Sequence, residues 1–290
     1  MLCMYLLFSQ PVIPVGLNAA SAPGMTVKAT GSTAYSGDRE FVTEFYEGNY
    51  RLRDYTRGDG IITLNLRRFA DYNSAIDFSN ATTSWNLANS ELDQYAIDVH
   101  WNTAKVYDFF SDRFNRNSID DKGFALVSYV HYGVEFDNAF WDGSKMSYGD
   151  GLRQPLTTLD LCGHEISHGV IKFTSGLLYT GESGALNEGY CDVFGTAIEQ
   201  YARPENWDWK IGSDVRTARD LAHPKEFLQP DTYKGEYWYN GDNQDQYIHR
   251  NSSVLGYWFY LLSSGGSGRN DLGLDYLVEP IGLEKAAAIA

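Results

Sequence analysis

Leu92, Tyr95, Ala96, Val99, Val106, Phe109, Phe110 and Phe114 recur near the three- and four-residue spacing of a single helix face. The stripe predicts a long helix that opens at the S-x-x-D pair Ser90 and Asp93 and closes near Phe114. His100 falls inside it and reads as a packed or exposed histidine rather than a ligand. Upstream, residues 25–66 are strand-like. Residues 50–55 and 61–66 flank Gly58-Asp59-Gly60 and predict a hairpin. Residues 124–132 alternate, with Leu126, Ser128 and Val130 on one face and Ala125, Val127 and Tyr129 on the other, and His131 follows on the same strand. Beyond a Gly-rich stretch around Tyr148-Gly149-Asp150-Gly151 the period changes to helical. One helix is expected from Leu159 to Phe173, with Ile166, Val170 and Phe173 buried. A second is expected from Ala185 to Ala202, stopping before Pro204, and a third from Ser252 to Leu262, ending at Gly265-Gly266. Residues 283–290 open like a further helix, with no capping residue and no breaker after it, as in a truncated chain.

The chain has 290 residues, enough for one large domain or two moderate lobes. Hydrophobic residues make up 43% and charged residues 21%, a globular balance. A net charge of −15 argues against a nucleic-acid partner. The three cysteines are too few for a disulfide framework, and Cys162 and Cys191 read as small buried residues at a helix–helix contact. No apolar run is long enough to span a membrane. Residues 1–8 are apolar and Ala20-Ser21-Ala22 resembles a cleavage site, but there is no basic start, and Pro11 and Pro14 interrupt the run. Residues 1–24 therefore read as a leader or a precursor remnant.

The first predicted long helix of the second half carries His164-Glu165-Ile166-Ser167-His168. Residues four apart on a helix lie one above the other, so His164 and His168 can aim two imidazole nitrogens at one point. Zinc takes such nitrogens, and a hydrolytic site uses three protein ligands with one position left open. Glu188, separated from His168 by nineteen residues, is the third ligand if a second helix crosses the first. Glu165 would then face the water rather than the metal. Asp192, four residues after Glu188, is a candidate to hold a ligating histidine through its second N–H. Gly163 and Gly169 each cost about 1 kcal/mol in a helix relative to alanine, and close approach of other backbone would offset that.

With these residues in place, the chain resembles the thermolysin-like neutral zinc metallopeptidases, whose motif is H-E-x-x-H with a distant Glu. The resemblance runs from about Tyr35 to the end. It is strongest in Asn138-Ala139-Phe140-Trp141, Gly163–His168, Glu182–Asp192 and Trp258–Gly266. It implies an α+β, two-lobed fold, with a β-rich N-terminal lobe (residues 25–158), a mainly helical C-terminal lobe (159–290, lacking its last helices) and zinc in the cleft. By position, His164, His168 and Glu188 would be the zinc ligands, Glu165 the general base and Asp192 the partner of His164. Tyr179 and His249 match the residues that stabilise the oxyanion. Asn138 and Ala139 match the edge segment that pairs with substrate backbone, and Arg219 matches the arginine that binds a substrate carbonyl. Leu156, Leu161, Ile211, Val215 and Ala218 match pocket-lining positions, which implies cleavage on the N-terminal side of large apolar residues.

Two departures stand out. Gln244 occupies the place of the Asp that supports the residue matching His249, with Asp245 or Asp242 as substitutes. At the family's double calcium site Asp160, Glu199 and Asp208 remain, while Lys210 and Ser213 replace two carboxylates. A lysine repels a second cation, so at most one calcium ion is expected. The resemblance implies a secreted bacterial endopeptidase, a monomer acting on protein or peptide substrates, with Zn2+ and at most one Ca2+. The competing reading is a non-catalytic or inactive truncated member of the same fold acting as a binding module. A zinc aminopeptidase is a third, but it needs an acidic anchor for a free N-terminus.

Overall fold

The strand-like residues before Gln94 pair into two sheets. A computed structural model describes residues 24–86, 92–152 and 154–290. The expected leader, apart from Gly24, and Ser90 at the expected helix start lie outside these residues. The described chain divides into two compact units, one ending at Thr158 and the other Leu159–Ala290.

In the N-terminal unit a five-stranded sheet has the spatial order Ser79–Asn80, Asn49–Arg51, Asp38–Tyr46, Met25–Ser32, Ser84–Trp85. Its longest pairing is antiparallel, from Met25 opposite Phe45 to Ser32 opposite Asp38. The second sheet orders Ala139–Trp141, Met146–Tyr148, Leu126–Val130, Ile61–Asn65 and Arg53–Asp54, and Ile76–Asp77 also pairs with Ile61–Asn65. The expected hairpin is present as Arg53–Asp54 against Ile61–Asn65. Its turn places Gly58 at φ +52° and Gly60 at φ +121°, where side-chain-bearing residues are disfavoured. Leu126, Ser128 and Val130 are buried and alternate with half-buried neighbours, as the sequence pattern requires. Helix α1, Gln94–Phe114, packs on this sheet and ends at Asn115 in the left-handed region. Asp93 makes no side-chain cap there, and Phe114 is exposed at the end of the stripe.

His100 on α1 is fully packed. Its Nε2 donates to the Val42 carbonyl at 2.8 Å, and its Nδ1 lies 3.0 Å from the Thr63 hydroxyl. Burial pushes its pKa down to about 4, against weaker opposing effects of the Val42 carbonyl and Asp54, with Arg57 adding to the depression. The unfolded chain protonates this group near pH 6.5, so its contribution is intact above that pH and is lost as pH falls toward 4. Urea denaturation at pH 7 and pH 4.5 is expected to show a stability loss of which about 2–3 kcal/mol vanishes in His100→Gln. An equal pH dependence in that variant would refute the assignment.

The C-terminal unit is helical. Its helices are α2 (Leu159–Phe173), α3 (Gly181–Ala202), α4 (Gln244–Asn251), α5 (Ser253–Ser264) and α6 (Leu283–Ile289). Helix α3 is the hub and packs against the other four. Two short antiparallel pairs, Lys210–Ile211 with Arg219–Asp220 and Gly266–Arg269 with Asp275–Val278, complete the unit. Ile166 and Val170 are buried on α2, whereas Phe173 at its end is 43% exposed and leaves the expected stripe. Helix α3 begins four residues before the expected Ala185. The Gln244 side chain accepts hydrogen bonds from the Gly181 N–H and the Thr180 hydroxyl, both at 3.1 Å, and so satisfies its first turn. No helix among the described residues is long and apolar enough to cross a membrane.

Candidate active site

Helices α2 and α3 cross at backbone contact. A Cβ built on Gly195 would lie 2.7 Å from the Asp160 carbonyl oxygen, and one on Gly163 would lie 3.2 Å from the Gly195 Cα. Gly195 is required for this approach and Gly163 eases it, and the crossing sets Glu188 of α3 opposite His164 and His168 of α2. Glu188 lies 3.4 Å from His164 Nε2 through Oε2 and 3.5 Å from His168 Nε2 through Oε1. The two imidazoles are nearly perpendicular, at 86°. All three side chains are buried, and His164 Nε2, His168 Nε2 and Glu188 Oε2 have no hydrogen-bond partner. Orphaned buried polar atoms are costly unless something fills the point they share.

The opposite nitrogens are committed. His164 Nδ1–H donates to Asp192 Oδ1 at 2.8 Å, and His168 Nδ1–H donates to Asn187 Oδ1 at 2.7 Å. Those bonds fix the tautomers and leave both Nε2 atoms facing Glu188. Two imidazoles and one carboxylate form the donor set zinc prefers, with His164 giving up its Nε2 proton to the metal. Ligand atoms on a tetrahedron with arms of about 2.0–2.1 Å lie about 3.4 Å apart, and each Nε2 has one Glu188 oxygen at close to that distance. The residues present therefore fit zinc. Cys191 is also near, with Sγ 3.2 Å from His168 Nδ1. The cluster His164, His168 and Cys191 likewise gathers within 4.8 Å. Yet Cys191 approaches the ring nitrogen already used by Asn187, and burial pushes its thiol pKa well up. Glu188 is the better third ligand on both counts. Cys162 is buried as well.

Positive charge is favoured at this point, and in the metal-free chain His164 carries it. Burial opposes charging of His164, but Asp192 and then Glu188 lift it to about 10. Burial, helped by His164 and His249, takes His168 down to about 4 against the opposing pull of Glu188 and Asn187. Burial would raise Glu188, yet His249, followed by His164 and His168, holds it well below the usual carboxylate range.

Glu165, Tyr179, His249 and Arg219 lie near the same point. Glu165 is buried beside His164 and close enough to Tyr179 to raise the phenol's pKa, after burial and Glu188. The Tyr179 hydroxyl donates to Glu188 Oε1 and lies 3.3 Å from His249 Nε2, which is itself 3.3 Å from Glu188 Oε2. Asp245 supports His249: Nδ1–H donates to its carbonyl at 2.7 Å, with its carboxylate at 3.2 Å. Gln244, the departure from the family pattern, is engaged instead at the start of α3. Arg219 is buried and grips Asp192 with two bonds, Nε to Oδ2 at 2.6 Å and Nη2 to Oδ1 at 2.7 Å. Leu161 and Ile211 are core residues, while Ala218 lines a cavity beside His249.

Asp160 lies near enough to Glu199 to raise that residue's pKa. Among the described residues Asp160, Glu199 and Asp208 belong to no set of ligand atoms within 4.8 Å of one another. Both Asp160 oxygens accept backbone N–H groups, from Leu161 at 2.8 Å and Gly212 at 2.5 Å. Asp208 accepts from the Lys210 N–H at 2.7 Å. Arg203, buried, donates to Glu199 and, at 2.8 Å, to Asp214. Burial, then Asp160, raises Glu199 to about 8 despite Arg203. Asn138 and Ala139 lie in the N-terminal unit, Ala139 on the edge strand Ala139–Trp141 and Asn138 just before it with a buried, unpartnered Oδ1.

Sequence reading missed Asn187 and Arg203. Asn187 adjoins Glu188 on α3 and could have been weighed with Asp192 as a histidine partner. Arg203 follows Glu199 by four residues, the spacing of a helical ion pair.

Strands are followed by helices, and two buried histidines and a buried carboxylate converge where α2 crosses α3. The chain belongs to the thermolysin metallopeptidase family. Residues 28–172 match the family's catalytic domain and residues 175–290 its alpha-helical domain. The chain is 37% identical over 255 residues to bacillolysin of Bacillus cereus, covering 84% of this chain and 44% of that protein. It is 37% identical over 244 residues to thermolysin of Alicyclobacillus acidocaldarius, covering 79% and 43%. The solved precursor of protealysin, a metalloproteinase from Serratia proteamaculans, matches with TM-score 0.60 at 28% identity, over 71% of this chain and 70% of that one. The chain thus spans less than half the length of the curated relatives it matches. The family is zinc-dependent, and calcium binding is typical of it.

Proposed function

We propose that this chain is a secreted zinc endopeptidase that hydrolyses peptide bonds on the N-terminal side of large apolar residues. The observation that carries the reading is the convergence of three unpartnered buried donor atoms, with both histidine tautomers fixed from behind. His164 Nε2, His168 Nε2 and Glu188 would hold zinc, which supplies Lewis acidity, polarising a peptide carbonyl and acidifying water. Glu165 takes the proton of the attacking water on its carboxylate and delivers it to the nitrogen of the leaving amine. The Tyr179 hydroxyl and His249 Nε2–H lie 3.3 Å apart and donate to the oxygen that becomes negative as the carbonyl carbon turns tetrahedral. Burial opposes a proton on His249, but Glu188 and Asp245 favour it, which suits a donor. Arg219 fixes Asp192, and Asp192 in turn fixes His164. Among the described residues the edge strand Ala139–Trp141 pairs on one side only, so an extended peptide can add to it, with Asn138 Oδ1 as a further acceptor.

Zinc content and hydrolysis of an N-terminally blocked peptide containing a Gly-Leu bond, measured on one purified sample, test the proposal. The expected result is one zinc per chain and cleavage before Leu that stops with a zinc chelator and returns with added zinc. Zinc binding without cleavage, or cleavage indifferent to the chelator, would overturn it.

A further inference from the structure

Beside His249 and Arg219 lies a cavity of about 330 Å³. Its wall includes Arg216, Ala218, Arg219, Leu228, His249 and Arg250. His249 presents Nε2 toward Glu188 and borders this cavity as well, so whatever fills the cavity lies next to the reacting centre. On a chain of net charge −15 the wall runs against the average, because it carries three guanidinium groups. Arg219 is spent on Asp192. Arg250 is not spent on an acid. It is half-buried, donates through one Nη2 to the Leu228 carbonyl at 2.7 Å, and lies 5.6 Å over the Tyr239 ring. Among the described residues no carboxylate stands within ion-pair distance of it. A guanidinium has five N–H donors in a planar fork, so most of Arg250's capacity is left for a ligand. Arg216, which has interactions of its own, adds a more exposed guanidinium to the same wall. The acid in the lining, Asp245, is engaged with His249 Nδ1 at 3.2 Å. Phe227 and Leu228 supply apolar wall, which strengthens the field of the arginines inside the cavity.

We infer that this cavity is a carboxylate-binding subsite and that Arg250 sets a preference for peptides carrying an acidic group within two residues of the cut bond. The inference rests on the endopeptidase reading for its substrate class. The carboxylate has two sources, an Asp or Glu side chain or the free C-terminus of a short peptide, and both present the same planar pair of oxygens to the fork.

The test uses blocked peptides that differ only at the second position after the scissile bond. The first carries Glu, the second Gln, both amidated at the C-terminus, and the third carries Gln with a free C-terminal carboxylate. Affinity is read by fluorescence on zinc-loaded Glu165→Gln, and hydrolysis on the unaltered chain. At low salt the Glu peptide is expected to bind roughly 5- to 10-fold more tightly than the Gln peptide, the range of a charge-assisted bond at a half-exposed site. That ratio should fall to near unity with Arg250→Gln added and survive with Arg250→Lys, and Arg216→Gln should shrink it in part. A gain confined to the free-carboxylate peptide assigns the subsite to chain ends rather than acidic side chains. Equal binding of all three peptides, or a preference untouched by Arg250→Gln, overturns the inference even if hydrolysis is rapid. Failure to hydrolyse any peptide while the preference persists overturns the endopeptidase reading and leaves the subsite standing.

Discussion

Glu165→Gln is expected to keep zinc bound and to lower peptide hydrolysis by about 10³-fold, the middle of the range for loss of a positioned general base. Glu165 follows His164 on α2 and is buried, so an amide of the same size leaves the helix, its packing and the three ligand atoms in place. What disappears is the ability to accept a proton from water and return it to the leaving nitrogen. Because that role operates in the transition state, kcat should fall while KM stays within a few-fold. Zinc stoichiometry and initial rates on the same sample check both halves. A variant within tenfold of the starting rate would remove Glu165 from the chemistry, and a variant that loses zinc would make it a ligand.

The parts legible in the sequence were those whose chemistry is local. His164 and His168 lie on one turn of α2, and the spacing alone aims them at one point. Glu188 needed a second helix to cross, and the glycines that allow it, Gly163 and Gly195, sit on different helices. Of the histidine partners, Asp192 was legible but Asn187 was not. A helix offers several polar side chains near any ligand, and tertiary packing decides which one turns toward the ring. The same limit governs His249. Sequence left Asp242 and Asp245 open as supports, and the fold brings Asp245 to Nδ1 while Gln244 closes the first turn of α3. Helix α4 escaped notice because Gln244–Asn251 is polar, and its burial is confined to Ile248, His249 and Asn251. Phe173 shows the reverse error: periodicity placed it on the buried face, but α2 ends there and nothing covers it enough to bury it.

Asp192→Asn is expected to weaken zinc binding about 10- to 100-fold and to destabilise the metal-free chain by about 3–5 kcal/mol. Asp192 is buried and accepts three hydrogen bonds, one from His164 Nδ1–H at 2.8 Å and two from Arg219 at 2.6 and 2.7 Å. An asparagine keeps one oxygen and turns the other into a donor. Since every partner is itself a donor, either His164 loses its anchor or Arg219 faces an N–H, and in both cases the buried guanidinium loses its counter-charge. The two consequences separate in a double variant. Adding Arg219→Met removes the uncompensated charge and fills similar volume, so much of the lost stability should return. Zinc affinity should not return, because His164 still lacks its carboxylate. Urea denaturation of the metal-free single and double variants, with competitive zinc titration of each, reads the two effects independently. If Arg219→Met restored zinc affinity together with stability, Asp192 would act on the metal only through the fold. If it restored neither, the cost would lie in the packing around Asp192 rather than in the stranded charge of Arg219.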